Sequence, residues 1–122
     1  MAILGWQYVV VEELPRLIVE RHDNGQKSKE GNMLDGQPEG LWTHWDEGGN
    51  VVSQGNYIKG NKDGAWIEYH SNGSLKGKYV YKENFVHGLQ EFYWDNGQLR
   101  SKCIIKNKEK YQHCIGYKKN KC

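Results

Sequence analysis

A 24-residue step runs through this chain and constrains its fold more than any other feature. Gly25, Gly49, Gly73 and Gly97 stand at that interval, as do Gly40, Gly64 and Gly88, and Trp45, Tyr69, Tyr93 and Tyr117. A fixed period of roughly 20–50 residues is the mark of one supersecondary unit stacked on itself. Here the unit is a β-hairpin. Its central copy reads as an alternating strand from Gly64 to His70, a turn at Ser71-Asn72-Gly73, and a second strand ending at Tyr81. Because the period is even, matching positions return to the same side of the sheet in every copy.

With 122 residues the chain has room for one array and not for two independent domains. Its rings are mainly 5 Trp and 8 Tyr, and aliphatic residues are too few to fill a thick two-layer core. A thin sheet packed with large aromatics is expected instead, since each ring buries a large area. The net charge of +2 is unevenly placed. Arg100, Lys102, Lys106, Lys108, Lys110, Lys118, Lys119 and Lys121 stand against Glu109 alone, a local charge of about +7.

Three cysteines, Cys103, Cys114 and Cys122, are odd in number and crowd the C-terminal end. That suits free structural thiols in a reducing compartment. Met1 to Glu13 lacks a basic leader region, and no apolar run is long enough to span a bilayer. A cytoplasmic protein is therefore expected.

Residues 1–22 read as a degenerate cap, with a strand over Trp6–Val11 and Leu17–His22 in phase with Leu41–Asp46 and Ala65–His70. Residues 23–106 hold the clear hairpin repeats, and residues 107–122 a half repeat with a basic tail. The first turn of each repeat, closed by Gly25, Gly49, Gly73 or Gly97, is expected to be a three-residue loop: a type I turn followed by a left-handed glycine. That loop sets Tyr69 opposite Leu75 and Ile67 opposite Gly77. The second connections are expected to run from Asp35, Lys59 and Glu83 to Gly40, Gly64 and Gly88. The fold class is all-β: an elongated antiparallel meander of about ten short strands in hairpin repeats.

This register gathers Leu41, Trp45, Val51, Tyr57, Ala65, Ile67, Tyr69, Leu75, Tyr79, Tyr81, Leu89, Tyr93, Leu99, Cys103 and Ile105 on an inner face. Trp42, His44, Asp46, Trp66, Glu68, His70, Phe92 and Trp94 fall on the outer face, with Lys76 and Lys78 beside them. Trp on a solvated face has two open readings. It shields a single-layer sheet, or it forms the core of a partner interface.

The run Gly64-Ala65-Trp66-Ile67-Glu68-Tyr69-His70-Ser71-Asn72-Gly73-Ser74-Leu75, repeated over Leu89 to Leu99 with Gln90 replacing the Trp, resembles the MORN-repeat variant of bacterial and phage proteins. The chain is most similar to the YwqK-type antitoxin family, over residues 17–117. The resemblance implies an elongated sheet of successive hairpins and a non-enzymatic scaffold that binds a protein partner, in this family a toxin or another effector. The partner-binding residues expected on this reading are Trp42, His44, Trp66, Glu68, His70, Phe92 and Trp94.

No nucleophile elbow, P-loop, dinucleotide fingerprint or zinc-ligand spacing is present, so neither catalysis nor a cofactor is expected. His22, Asp46 and His70, near His44 and Glu68, sit two strands apart from one another, about 10 Å in a flat sheet, too far to act together. Phase puts Cys103 inward and Cys114 outward, so with His113 they are not expected to share a metal ion. A Cys114–Cys122 bridge is the expected product of oxidation. The alternative function is an electrostatic adaptor that binds nucleic acid or an anionic membrane through the basic segment from Arg100 onward. Edge strands leave a dimer open as well.

Overall fold

The computed structural model describes residues 14–106 and 113–118. They form one antiparallel sheet of ten strands: β1 (Arg16–Arg21), β2 (Lys27–Leu34), β3 (Gln37–Trp45), β4 (Val51–Ile58), β5 (Asn61–Tyr69), β6 (Leu75–Lys82), β7 (Phe85–Val86), β8 (Gly88–Tyr93), β9 (Leu99–Ile105) and β10 (His113–Gly116). Neighbours in sequence are neighbours in the sheet, and β7 and β8 together pair with β6. No helix among the described residues is long and apolar enough to cross a membrane.

Two kinds of turn alternate along the meander. At one rim the three-residue loops form as expected. In the central copy the N–H of Gly73 donates to the His70 carbonyl and the N–H of His70 to the Ser74 carbonyl, with Gly73 at φ 89°. At the other rim the connections are shorter than expected. Leu34 pairs with Gln37, Ile58 with Asn61 and Lys82 with Phe85, which leaves two-residue loops. Both loop residues have positive φ (Asp35 and Gly36, Lys59 and Gly60, Glu83 and Asn84), the type I′ geometry that matches strand twist. The next strand begins at once, so Gly40, Gly64 and Gly88 lie inside or at the start of strands and not in turns.

Each repeat carries two bulges. Tyr69 pairs with Leu75 as expected, but Glu68 pairs with Gly77, and Lys76 has no partner of its own. The same skip falls at Ser28, Val52 and Arg100, again 24 residues apart. A second break comes after the type I′ turn. Gly55 pairs with Trp66 and Asn56 with Asp63, so Gly64 and Ala65 stand as two extra residues.

The first bulge decides the faces. A one-residue slip moves every later side chain to the other side of the sheet. The inner face expected from the sequence is thereby split. Tyr57, Tyr79, Tyr81, Cys103 and Ile105 lie on the face that carries Trp42, Trp66 and Phe92. Leu41, Ala65, Ile67 and Leu89 lie on the opposite face, with Gln54, Lys78, Val80 and Ile104. The first face is the core. The second is open.

Candidate partner-binding faces of the sheet

The core face is built from one pair of positions 11 residues apart, repeated at every step. In the first copy the pair is Gly31 and Trp42, in the second Gly55 and Trp66. The indole lies flat against the glycine, and a Cβ on either glycine would run into the ring. Each indole N–H also donates to the carbonyl of the residue after its glycine: Trp42 to Asn32 and Trp66 to Asn56, both at 3.0 Å. Those carbonyls face the second bulge, where the ladder is interrupted, so the tryptophan packs the core and closes a backbone gap. Trp42 is 5% exposed and Trp66 4%. Burying one indole is worth about 4–6 kcal/mol.

In the third copy both partners change together. Tyr79 stands where the glycine would be and Gln90 where the Trp would be. A Cβ beneath the slot excludes an indole, and the slimmer glutamine fits. Its side-chain amide still reaches the same backbone: Nε2 donates to the carbonyls of Val80, His87 and Gly88 at 3.3, 3.0 and 3.1 Å, while Oε1 accepts the Val80 N–H at 2.9 Å. Gln90 is fully buried. In the fourth copy the pair is Cys103 and Cys114, joined as a disulfide across β9 and β10. The expectation that these two cysteines point to opposite faces is thus corrected. Cys114 is already paired, which also removes the proposed bridge to Cys122, a residue outside those described.

Between the slots the rings meet edge to face. Trp42, Tyr57, Trp66 and Tyr81 form a ladder across four strands at centroid separations of 6.4, 5.1 and 6.2 Å, and Tyr79 meets Phe92 at 5.5 Å. Lys62 Nζ caps the ladder, 4.6 Å from the Trp66 ring and 5.0 Å from that of Tyr81.

The residues expected to touch a partner therefore divide. Trp42 and Trp66 are core and offer no contact surface. His44, Glu68, His70, Phe92 and Trp94 are half-buried on the same side or at its rim. Nε2 of His70 donates to the Tyr93 carbonyl at 2.9 Å, and His22 makes the same bond to Trp45. Asn72 donates to the Asp95 carbonyl and Asn24 to that of Glu47. These bonds tie the loops closed by Gly25 and Gly73 to the next loop, whose glycine is Gly49 or Gly97. Burial, then the nearby Lys29 and Lys62, hold the His44 imidazole below its ordinary value. Hydrogen bonds from the Asn50 and Gly48 N–H groups hold the Asp46 carboxyl low. Among the described residues no three His, Cys, Asp or Glu gather as a metal site would require.

Of the basic set, Arg100 lies 5.0 Å from the Trp94 ring centroid, and Lys102 pairs across β9 with Glu91 and Ile115. Lys106 and Lys118 are exposed. Lys108, Lys110, Lys119 and Lys121 lie outside the described residues, as does the strand expected over Trp6–Val11.

The open face carries the apolar surface that the sequence reading misplaced. Ala65 pairs with Val80 and Leu89 with Ile104, and Ile115 lies beyond them on the same side. Leu89 and Ile104 are 45% and 41% exposed, and Val80 and Ile115 are comparably open. Lys78, Lys82, Lys102 and Glu91 surround them. The available sequence signal was the Gly88-Leu89 step, which matches Gly40-Leu41 and Gly64-Ala65: a glycine followed by an apolar residue that the bulge turns outward.

A family model described as MORN repeat variant matches residues 38–59, 62–83 and 86–107, more than half of the chain. The first two matches each cover one hairpin between successive type I′ turns, and the third begins just after the turn at Glu83 and Asn84. No curated protein and no solved structure matches the chain.

Proposed function

The chain belongs to the MORN repeat variant family, and we propose from that premise that it is a non-catalytic scaffold binding a protein partner through its open face. The observation that carries this reading is the exposed cluster of Val80, Leu89, Ile104 and Ile115 on one side of a single-layer sheet. Adjacent exposed aliphatic residues with a polar rim are typical of surfaces that another protein covers. The rim holds Lys78, Lys82 and Lys102 against Glu91, so the partner presents an apolar patch edged by carboxylates. That the partner is a toxin or another effector is the finer form of this reading, and the resemblance to the YwqK-type antitoxin family is its only support.

Affinity capture from the native host tests the reading, comparing wild type with Leu89→Asp/Ile104→Asp. The two positions face each other across β8 and β9, so the variant is first checked for folding by circular dichroism. Loss of one protein partner with the double variant supports the open face. Capture that survives the variant and disappears with nuclease or moderate salt contradicts it and favours the basic-segment adaptor.

A further inference from the structure

The fourth copy of the slot differs from the others in kind. Three copies are held by packing and hydrogen bonds, and the last by a covalent bond between Cys103 and Cys114. Among the described residues, the strand it secures has little else. β10 is four residues long and pairs only with β9 among the described strands. Cys114, Ile115 and Gly116 are exposed, so none of them anchors the strand by burial. Its other ties among the described residues are ladder hydrogen bonds, continued by the Tyr117 N–H to the Arg100 carbonyl at 2.8 Å. Such a strand is marginal by itself.

We propose that the Cys103–Cys114 pair is a thiol–disulfide switch that decides whether β10 stays on the sheet. The two cysteines are unequally exposed, Cys103 buried and Cys114 open to solvent, so attack is assigned to the Cys114 side. A small thiolate attacks the Cys114 sulfur, breaking the bond, forming a mixed disulfide there and releasing Cys103 as a thiolate, which takes up a proton. A second equivalent of the small thiol displaces Cys114 from the mixed disulfide. The protein gains two hydrogens and the reductant leaves as its own disulfide. The slot then holds two small thiols, which lack both the volume of an indole and its N–H donor. β10 separates, and the edge of β9 is uncovered while the strands before it keep their Trp and Gln anchors. Reduction therefore acts on one end of the sheet only.

Hydrogen exchange read by mass spectrometry tests this on the full chain in a Cys122→Ser background, with and without dithiothreitol. The expected oxidised protein is about 2 Da lighter than the reduced one. Reduction should speed exchange at least about tenfold in residues 113–118 and at the β9 amides facing them, with residues 37–82 unchanged. Cys103→Ser/Cys114→Ser, checked for folding by circular dichroism, should match the reduced protein under both conditions. The proposal is overturned if no mass difference is found, or if residues 113–118 exchange alike in both states. It is equally overturned if reduction loosens the whole sheet, or if the serine variant stays protected.

Discussion

At the scale of single residues, glycine serves this fold in two unrelated ways, and substitution separates them. Gly73 has φ 89° and nothing within 4 Å of where a Cβ would stand. Gly73→Ala therefore costs only the left-handed backbone, about 1–2 kcal/mol. Gly55 has an ordinary φ but a Trp66 ring against it. Gly55→Ala should cost about 1–3 kcal/mol by overpacking, or more where the ring cannot shift. Denaturant unfolding of the two variants, and of each combined with Trp66→Phe, distinguishes the causes: the smaller ring should relieve Gly55→Ala and leave Gly73→Ala unchanged. His44 supplies a pH test. Its folded pKa lies below the ordinary 6.5, so its contribution is present above that value and is lost as pH falls through the folded pKa. Thermal melts should fall more steeply from pH 7 to pH 5 in wild type than in His44→Gln.

At the scale of elements, much of the hairpin was legible and the bulges were not. The Asn-Gly and Gly-Gly signals fixed the three-residue loops, because only glycine takes that left-handed position without strain. The skips at Ser28, Val52, Lys76 and Arg100 left no such mark, since an unpaired residue, half-buried at Ser28 and exposed at the other three, can be of any type and the even period hides a slip made once in every repeat. That is why Trp42 and Trp66 read as surface residues and Leu89 as core. The Cys103–Cys114 pairing was hidden for the same reason. Once the slot is known, its third copy can be predicted as a coupled unit. Tyr79→Gly alone empties the contact with Phe92, and Gln90→Trp alone drives an indole into the Tyr79 side chain and leaves the Val80 N–H unpaired. The double variant rebuilds the Gly55–Trp66 arrangement. In a double-mutant cycle followed by urea unfolding it should be less destabilised than the sum of the singles by at least about 1 kcal/mol.

At the scale of the whole molecule, a single-layer sheet has one face to hide and one to use. The alternation of tryptophan or glutamine slots with Tyr57, Tyr81 and Ile105 closes the first face within the chain. The second stays open, which is the arrangement the proposed scaffold role requires. Both faces are therefore set by which side the indoles occupy. The most direct test is a nuclear Overhauser measurement between the Trp66 indole ring and the Hα protons of Gly55, with their chemical shifts. Stacking of the indole on the glycine predicts strong contacts and Gly55 Hα resonances displaced upfield by the ring current. Absence of those contacts, with Gly55 Hα at ordinary shifts, would place Trp66 on the opposite side of the sheet from Gly55 and contradict the bulged register on which both faces depend.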